Sequence, residues 1–181
     1  MWPDRPGRAD PATREWLARQ HAAYADSGGA GPPPAWMARA GTISRAGRRL
    51  AQRLRHEQPQ TFAGSAQQPT REGMLVWLGF THDVDRSLEG ARAGFPHPEA
   101  LRAFQPRRSL AELEAVRDEI RAARRELSPP GGELVAFDID EVENQVAVEV
   151  RGPLEAARAA LIAYGDVVRV REVRLADRRG G

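Results

Sequence analysis

Residues 133–150 read ELVAFDIDEVENQVAVEV, a pattern that suits strands and not a helix. Val135, Phe137 and Ile139 alternate with smaller or charged residues, and so do Val146, Val148 and Val150. A period of two puts each set on one face of a pleated strand. The four residues between them, Glu141 to Asn144, are long enough to turn the chain. The segment therefore predicts a β-hairpin over 134–150, with Asp138 and Asp140 on the face turned to solvent.

The neighbouring segments extend that hairpin. Upstream, Leu110, Leu113, Val116, Ile120, Ala123 and Leu127 form one continuous apolar stripe, predicting a helix over 110–127. Ser109 and Glu112 have the spacing of a capping box at its start, and Pro129-Pro130-Gly131-Gly132 ends it. Downstream, Pro153 opens a helix whose apolar side is Leu154, Ala157, Leu161 and Ile162, with Gly165 as a terminator. VVRVREV (167–173) is the last strand, and LRAFQ (101–105), cut off by Pro106, is another. From residue 101 the order is β-α-β-β-α-β, the ferredoxin-like order.

A further βα unit precedes it: strand MLVWLGF (74–80), then a helix over 83–94 with Asp83 as N-cap. The segments 74–105 and 146–173 echo each other weakly. The fold class expected is α+β, an antiparallel or mixed sheet with helices on one face, plus a helical N-terminal leader. That leader holds a short helix over 11–24, a linker SGGAGPPP (27–34) and a helix over 43–57. The expected division is a leader over 1–60, the α+β domain over 61–175 and a frayed tail over 176–181.

Composition narrows the function. The 181 residues hold 27 basic side chains, all arginine, against 25 acids, a net of +2. With no lysine or cysteine, little can titrate between pH 7 and about 10, so the pI of 9.8 marks an absence of titrating groups rather than a strongly basic chain. Residues 1–72 carry 11 arginines and 6 acids; residues 73–181 carry 16 and 19. The lack of cysteine excludes disulfides, thiolate metal sites and a cysteine nucleophile. No apolar run reaches the roughly 18 residues of a membrane span, and the N-terminus has no apolar signal core. The sequence as written therefore reads as cytoplasmic.

Candidate chemistry is sparse. Asp26-Ser27-Gly28-Gly29 imitates a serine nucleophile motif, but it sits in the linker and lacks a positioned base. His82, Asp83 and Asp85 cluster after a strand, where acids also suit a helix N-terminus. Asp138, Asp140, Glu141 and Glu143 offer oxygen ligands without the spacing of a calcium loop. Arg45, Arg48, Arg49 and Arg53 give the 43–57 helix an anionic-surface face, without interleaved aromatics that would stack bases. Trp2, Trp16 and Trp36 lie in the leader and can dock it on the domain or on another protein. No catalytic residue, cofactor or metal is expected.

The chain also carries a series of motifs in order: Phe62-Ala63-Gly64, a strand ending in Thr81, and an arginine-rich strand running into Ser109-Leu110-x-x-Leu113. A strand with Asp138 or Asp140 follows, then Asn144-x-Val146-x-Val148, and YGDVVRV (164–170) closes it. Over 62–173 this resembles the pro-regions of secreted bacterial serine proteases of the alpha-lytic protease and streptogrisin type, and stand-alone actinobacterial relatives of them. Ser65-Ala66 stand where that family often has tryptophan.

The resemblance implies a non-enzymatic protein that binds a secreted serine protease, assists its folding and inhibits it through a sheet. It also implies an extracellular location, with a true start upstream. The partner-binding positions would be Asn144, Val146, Val148, Val168 and Val170. The alternative is a ferredoxin-like regulatory or assembly module with no protease partner, open to homodimer formation. Arginine-mediated nucleic-acid binding ranks third.

Overall fold

The computed structural model describes residues 6–28 and 31–173. Trp2, the linker residues Gly29 and Ala30, and the tail over 176–181 lie outside the described residues. The chain is α+β and divides into two compact units, Met1–Leu110 and Ala111–Gly181.

In the first unit, helices α1 (Pro11–Asp26) and α2 (Ala35–Glu57) precede strands β1 (Phe62–Thr70) and β2 (Gly73–Phe80). Helix α3 (Val84–Ala93) and strand β3 (Leu101–Phe104) follow. Strands β1 and β2 form an antiparallel hairpin, and β3 lies parallel to β2 on its other side. Helix α2 covers this sheet with Ile43, Ala46, Gly47, Leu50 and Leu54, all buried. Ser44 and Gln67 join helix to strand: the serine hydroxyl donates to Gln67 Oε1 at 2.7 Å, and Gln67 Nε2 donates to the Ser44 carbonyl at 3.0 Å.

The second unit repeats the path. Helix α4 (Leu110–Ala122) and a short helix α5 (Arg124–Leu127) lead to strands β4 (Glu133–Asp140) and β5 (Gln145–Arg151). Helix α6 (Leu154–Ala160), a 3-10 segment over Ile162–Val167 and strand β6 (Val168–Glu172) complete it. Again the hairpin is antiparallel and the third strand parallel to the middle one. Val76 pairs with Leu101 as Val146 pairs with Val168, and both hairpins carry an irregularity near the start of their first strand. The faint echo between 74–105 and 146–173 is thus a shared β-α-β topology. Leu113 and Ile120 of α4, Ala157 and Leu161 of α6, and Leu134, Val146, Val148 and Val150 make the core of this unit.

Three expectations are corrected. The order β3-α4-β4-β5-α6-β6 is present along the chain, but its strands do not form one ferredoxin-like sheet. Strand β3 pairs with β2, leaving two three-stranded sheets. Strand order along a sequence does not fix which strands bond.

The two compact units meet between Leu110 and Ala111, and helix α2, which the sequence reading placed in the leader, is the layer that buries the first sheet. With that boundary the charge split widens: 16 arginines against 10 acids in residues 1–110, and 11 against 15 in residues 111–181.

The second correction concerns β4. Its ladder slips between Leu134 and Ala136, so Leu134 takes the core position opposite Val150 and Val135 becomes the extra residue. A bulge reverses the faces on one side of it. Finally, the single helix expected over 110–127 breaks at Ala123 (φ −85°, ψ 12°) into α4 and α5.

Candidate functional site

The described structure leaves one edge of β6 open. In the second sheet, β6 is bonded to β5 alone among the described strands. The Val173 N–H donates to the Val150 carbonyl at 3.0 Å. Backbone groups point to opposite sides at successive residues of a strand. Arg169 and Arg171 therefore turn their backbone groups toward β5. Val168, Val170 and Glu172 turn theirs outward, the form in which a sheet accepts another strand.

Beside that edge lies a cleft of about 550 Å³, bounded by Leu161, Ile162, Val168 and Val170 with Arg158 and Arg169 at its rim. Ile162 is 78% exposed, the large apolar side chain left open among the described residues. Its position follows from where α6 stops. Seven residues of helix end at Ala160, the chain tightens into a 3-10 segment, and Gly165 (φ 56°) redirects it into β6. Ile162 so leaves the helical face that buries Ala157 and Leu161. Gln145 Nε2 donates to the Asp166 carbonyl at 2.9 Å and ties this loop to β5.

The two faces of the sheet differ sharply. The core face holds Val146, Val148 and Val150, with Val168 and Val170 packed on its margin. The opposite face carries Asp138, Glu149, Arg169 and Arg171. Arg171 lies 2.9 Å from Glu149 and 4.0 Å from Asp138. Arg169 is exposed and makes no ion pair among the described residues.

The expected partner-binding residues separate accordingly. Val146 and Val148 are fully buried, so their side chains are core and not contact surface, and Asn144 is only 7% exposed. Asn144 takes a left-handed φ of 56° at the end of the β4–β5 turn, a conformation asparagine tolerates well. Val168 and Val170 are half-buried at the open edge, beside the cleft. Sequence reasoning missed Ile162 by placing it on the apolar side of a longer helix.

The other candidates are structural or isolated. The Ser27 hydroxyl donates to the Tyr24 carbonyl at 2.7 Å, closing the end of α1. Asp83 stands at the N-cap position of α3, but its carboxylate makes no capping bond; it meets His82 Nδ1 at 2.9 Å instead. Its φ of 51° is left-handed, outside the extended backbone an N-cap residue ordinarily takes. Asp140 Oδ1 accepts the Glu143 N–H at 3.0 Å within the hairpin turn. Among the described residues, no group of three or more histidine or acidic side chains is placed to hold a metal ion.

Trp16 and Trp36 pack edge to face at 5.4 Å, with His21 at 5.3 Å from Trp36, so this part of the leader is an α1–α2 contact. Among the described residues, no helix is long and apolar enough to cross a membrane. No protein-family model matches this chain, and a search of curated proteins finds no match.

Proposed function

We propose that the chain is a non-catalytic protein-binding module of the pro-region type its sequence resembles, and that it takes an extended segment of its partner as a fourth strand on β6. The observation that carries this reading is the pairing of an open strand edge with an exposed isoleucine in the adjoining cleft. Backbone hydrogen bonds along Val168, Val170 and Glu172 would supply affinity, and the cleft would select an apolar side chain at alternate positions.

Charge sharpens the partner. Arg169, without an ion pair among the described residues, favours a carboxylate at the facing position of the added strand. The same arginines weigh against a second copy as the occupant. A two-fold pairing of β6 centred on Val170 would set Arg169 opposite Arg171 of the other copy, and like charges across a ladder destabilise it.

The test is inhibition of a chymotrypsin-like bacterial serine protease by the purified chain. Inhibition is expected, lost in Val170→Pro, which removes an outward N–H while leaving the bonds to β5 in place. Ile162→Asp should weaken it. A protease whose activity is untouched by the wild-type chain refutes the protease as partner. Equal inhibition by Val170→Pro refutes strand addition.

A further inference from the structure

The first unit contains a second cleft that the β6 edge does not involve. It measures about 250 Å³ and lies between α2 and the loop over 94–96 that follows α3. Its floor is Ala46, Leu50 and Phe95, each at most 7% exposed. Its rim is Arg49 and Arg53, one helical turn apart on α2. Residues four apart on a helix share a face.

Three features separate this place from an ordinary solvated arginine row. Among the described residues, no acidic side chain lines it. Among the described residues, Arg49 has no hydrogen bond or ion pair, and Arg53 has only a loose contact, its Nε 3.6 Å from Glu57 Oε2. Both guanidinium groups thus keep donors free. Gly94 then lines the cleft without a side chain. Its φ of −113° is one that any residue adopts, so the backbone does not require glycine there. A Cβ would stand 3.9 Å from both terminal nitrogens of Arg53, an ordinary contact distance, so a longer side chain there would extend beside that guanidinium.

We infer that this cleft binds a small organic anion, a carboxylate or phosphate held by Arg49 and Arg53, whose apolar body rests on Leu50 and Phe95. Guanidinium groups suit both anions because their planar donors match two oxygens at once. The volume lies below the roughly 300 Å³ at which drug-sized pockets begin, so the body is no larger than a single ring. Arg45 and Arg48 lie outside the cleft and take no part.

The test is calorimetric titration of the full chain with phenyl phosphate, benzoate and inorganic phosphate at low salt. Phenyl phosphate or benzoate should bind, and inorganic phosphate more weakly, because it lacks the apolar body. The better organic anion then identifies the headgroup. Arg49→Gln and Arg53→Gln should each weaken binding by about fivefold, the ceiling for a solvent-exposed ion pair. Gly94→Met, which fills the cleft without altering charge, should abolish binding, while Arg48→Gln should leave it unchanged. Three results overturn the inference: inorganic phosphate binding as tightly as the organic anions, Arg48→Gln weakening binding as much as Arg49→Gln, or none of the three ligands binding.

Discussion

Replacing Gly47 with alanine sets two effects of opposite sign against each other. Glycine in a helix interior is disfavoured by about 1 kcal/mol relative to alanine, so an unhindered substitution in α2 should stabilise. Gly47, however, sits where α2 crosses β2. A Cβ there would stand 2.7 Å from Val76 Cγ2 and 3.1 Å from Cγ1. Carbon atoms are at their best separation near 3.5–4.0 Å. Val76 cannot move aside cheaply: it is 1% exposed, β-branched, and held between β1 and β3. Overpacking of this kind costs about 1–3 kcal/mol, so the net change should be destabilising by up to about 2 kcal/mol.

Gly90 in α3 is the control, since nothing lies within 4 Å of its Cβ position. Gly90→Ala should stabilise by up to about 1 kcal/mol. The assay is urea unfolding followed by tryptophan fluorescence, because all four tryptophans fall in residues 1–110 and report on that unit alone. Val76→Ala should cost less in the Gly47→Ala background than alone, giving a coupling of about 0.5–3 kcal/mol for side chains in contact. If Gly47→Ala stabilises as much as Gly90→Ala, the close approach of α2 to β2 is wrong.

Gly152→Ala should destabilise the second unit by about 1–3 kcal/mol, read as a lower urea midpoint by circular dichroism. Its φ is +114°, and a Cβ would meet backbone atoms of Gly131 and Gly132 at 2.8 and 2.7 Å. Tyr164 should titrate above the ordinary phenol range. Burial raises it first, and its 2.9 Å hydrogen bond to Glu119 and that carboxylate's charge add to the shift. A raised folded-state value means the contribution is whole below pH 10 and is lost as pH climbs through that value, so Tyr164→Phe should flatten the alkaline fall in stability.

What the sequence disclosed depended on whether local pattern and tertiary placement agreed. The β4–β5 hairpin, the α4 stripe and the arginine face of α2 were legible because apolar periodicity alone fixes them. Strand β1 was not. FAGSAQQPT has few β-branched or aromatic residues, and it pairs because β2 lies beside it and Gln67 and Gln68 find polar partners at Ser44 and Trp77. Pro69 is tolerated there because β1 is an edge strand.

Fixing the sheet assignment of β3 would have needed knowledge of which strand it bonds, a long-range choice with no local signature. The same holds for the docking edge. Val146 and Val168 look alike in sequence; burial separates the central strand from the edge. Ile162 escaped because a helix end one turn earlier changes which way every later residue faces.

The parallel placement of β6 has a consequence for how the second unit opens. The β4–β5 hairpin closes over a four-residue turn, whereas β6 joins β5 only after a crossover of 16 residues, 152–167. Short-range pairings survive local fluctuations better than long-range ones at a margin. Amide exchange in native conditions should therefore begin at β6, with the hairpin still protected. The strand that offers its edge to a partner is then also the first to come loose, and a bound strand would report itself as slowed exchange at Val168, Val170 and Glu172.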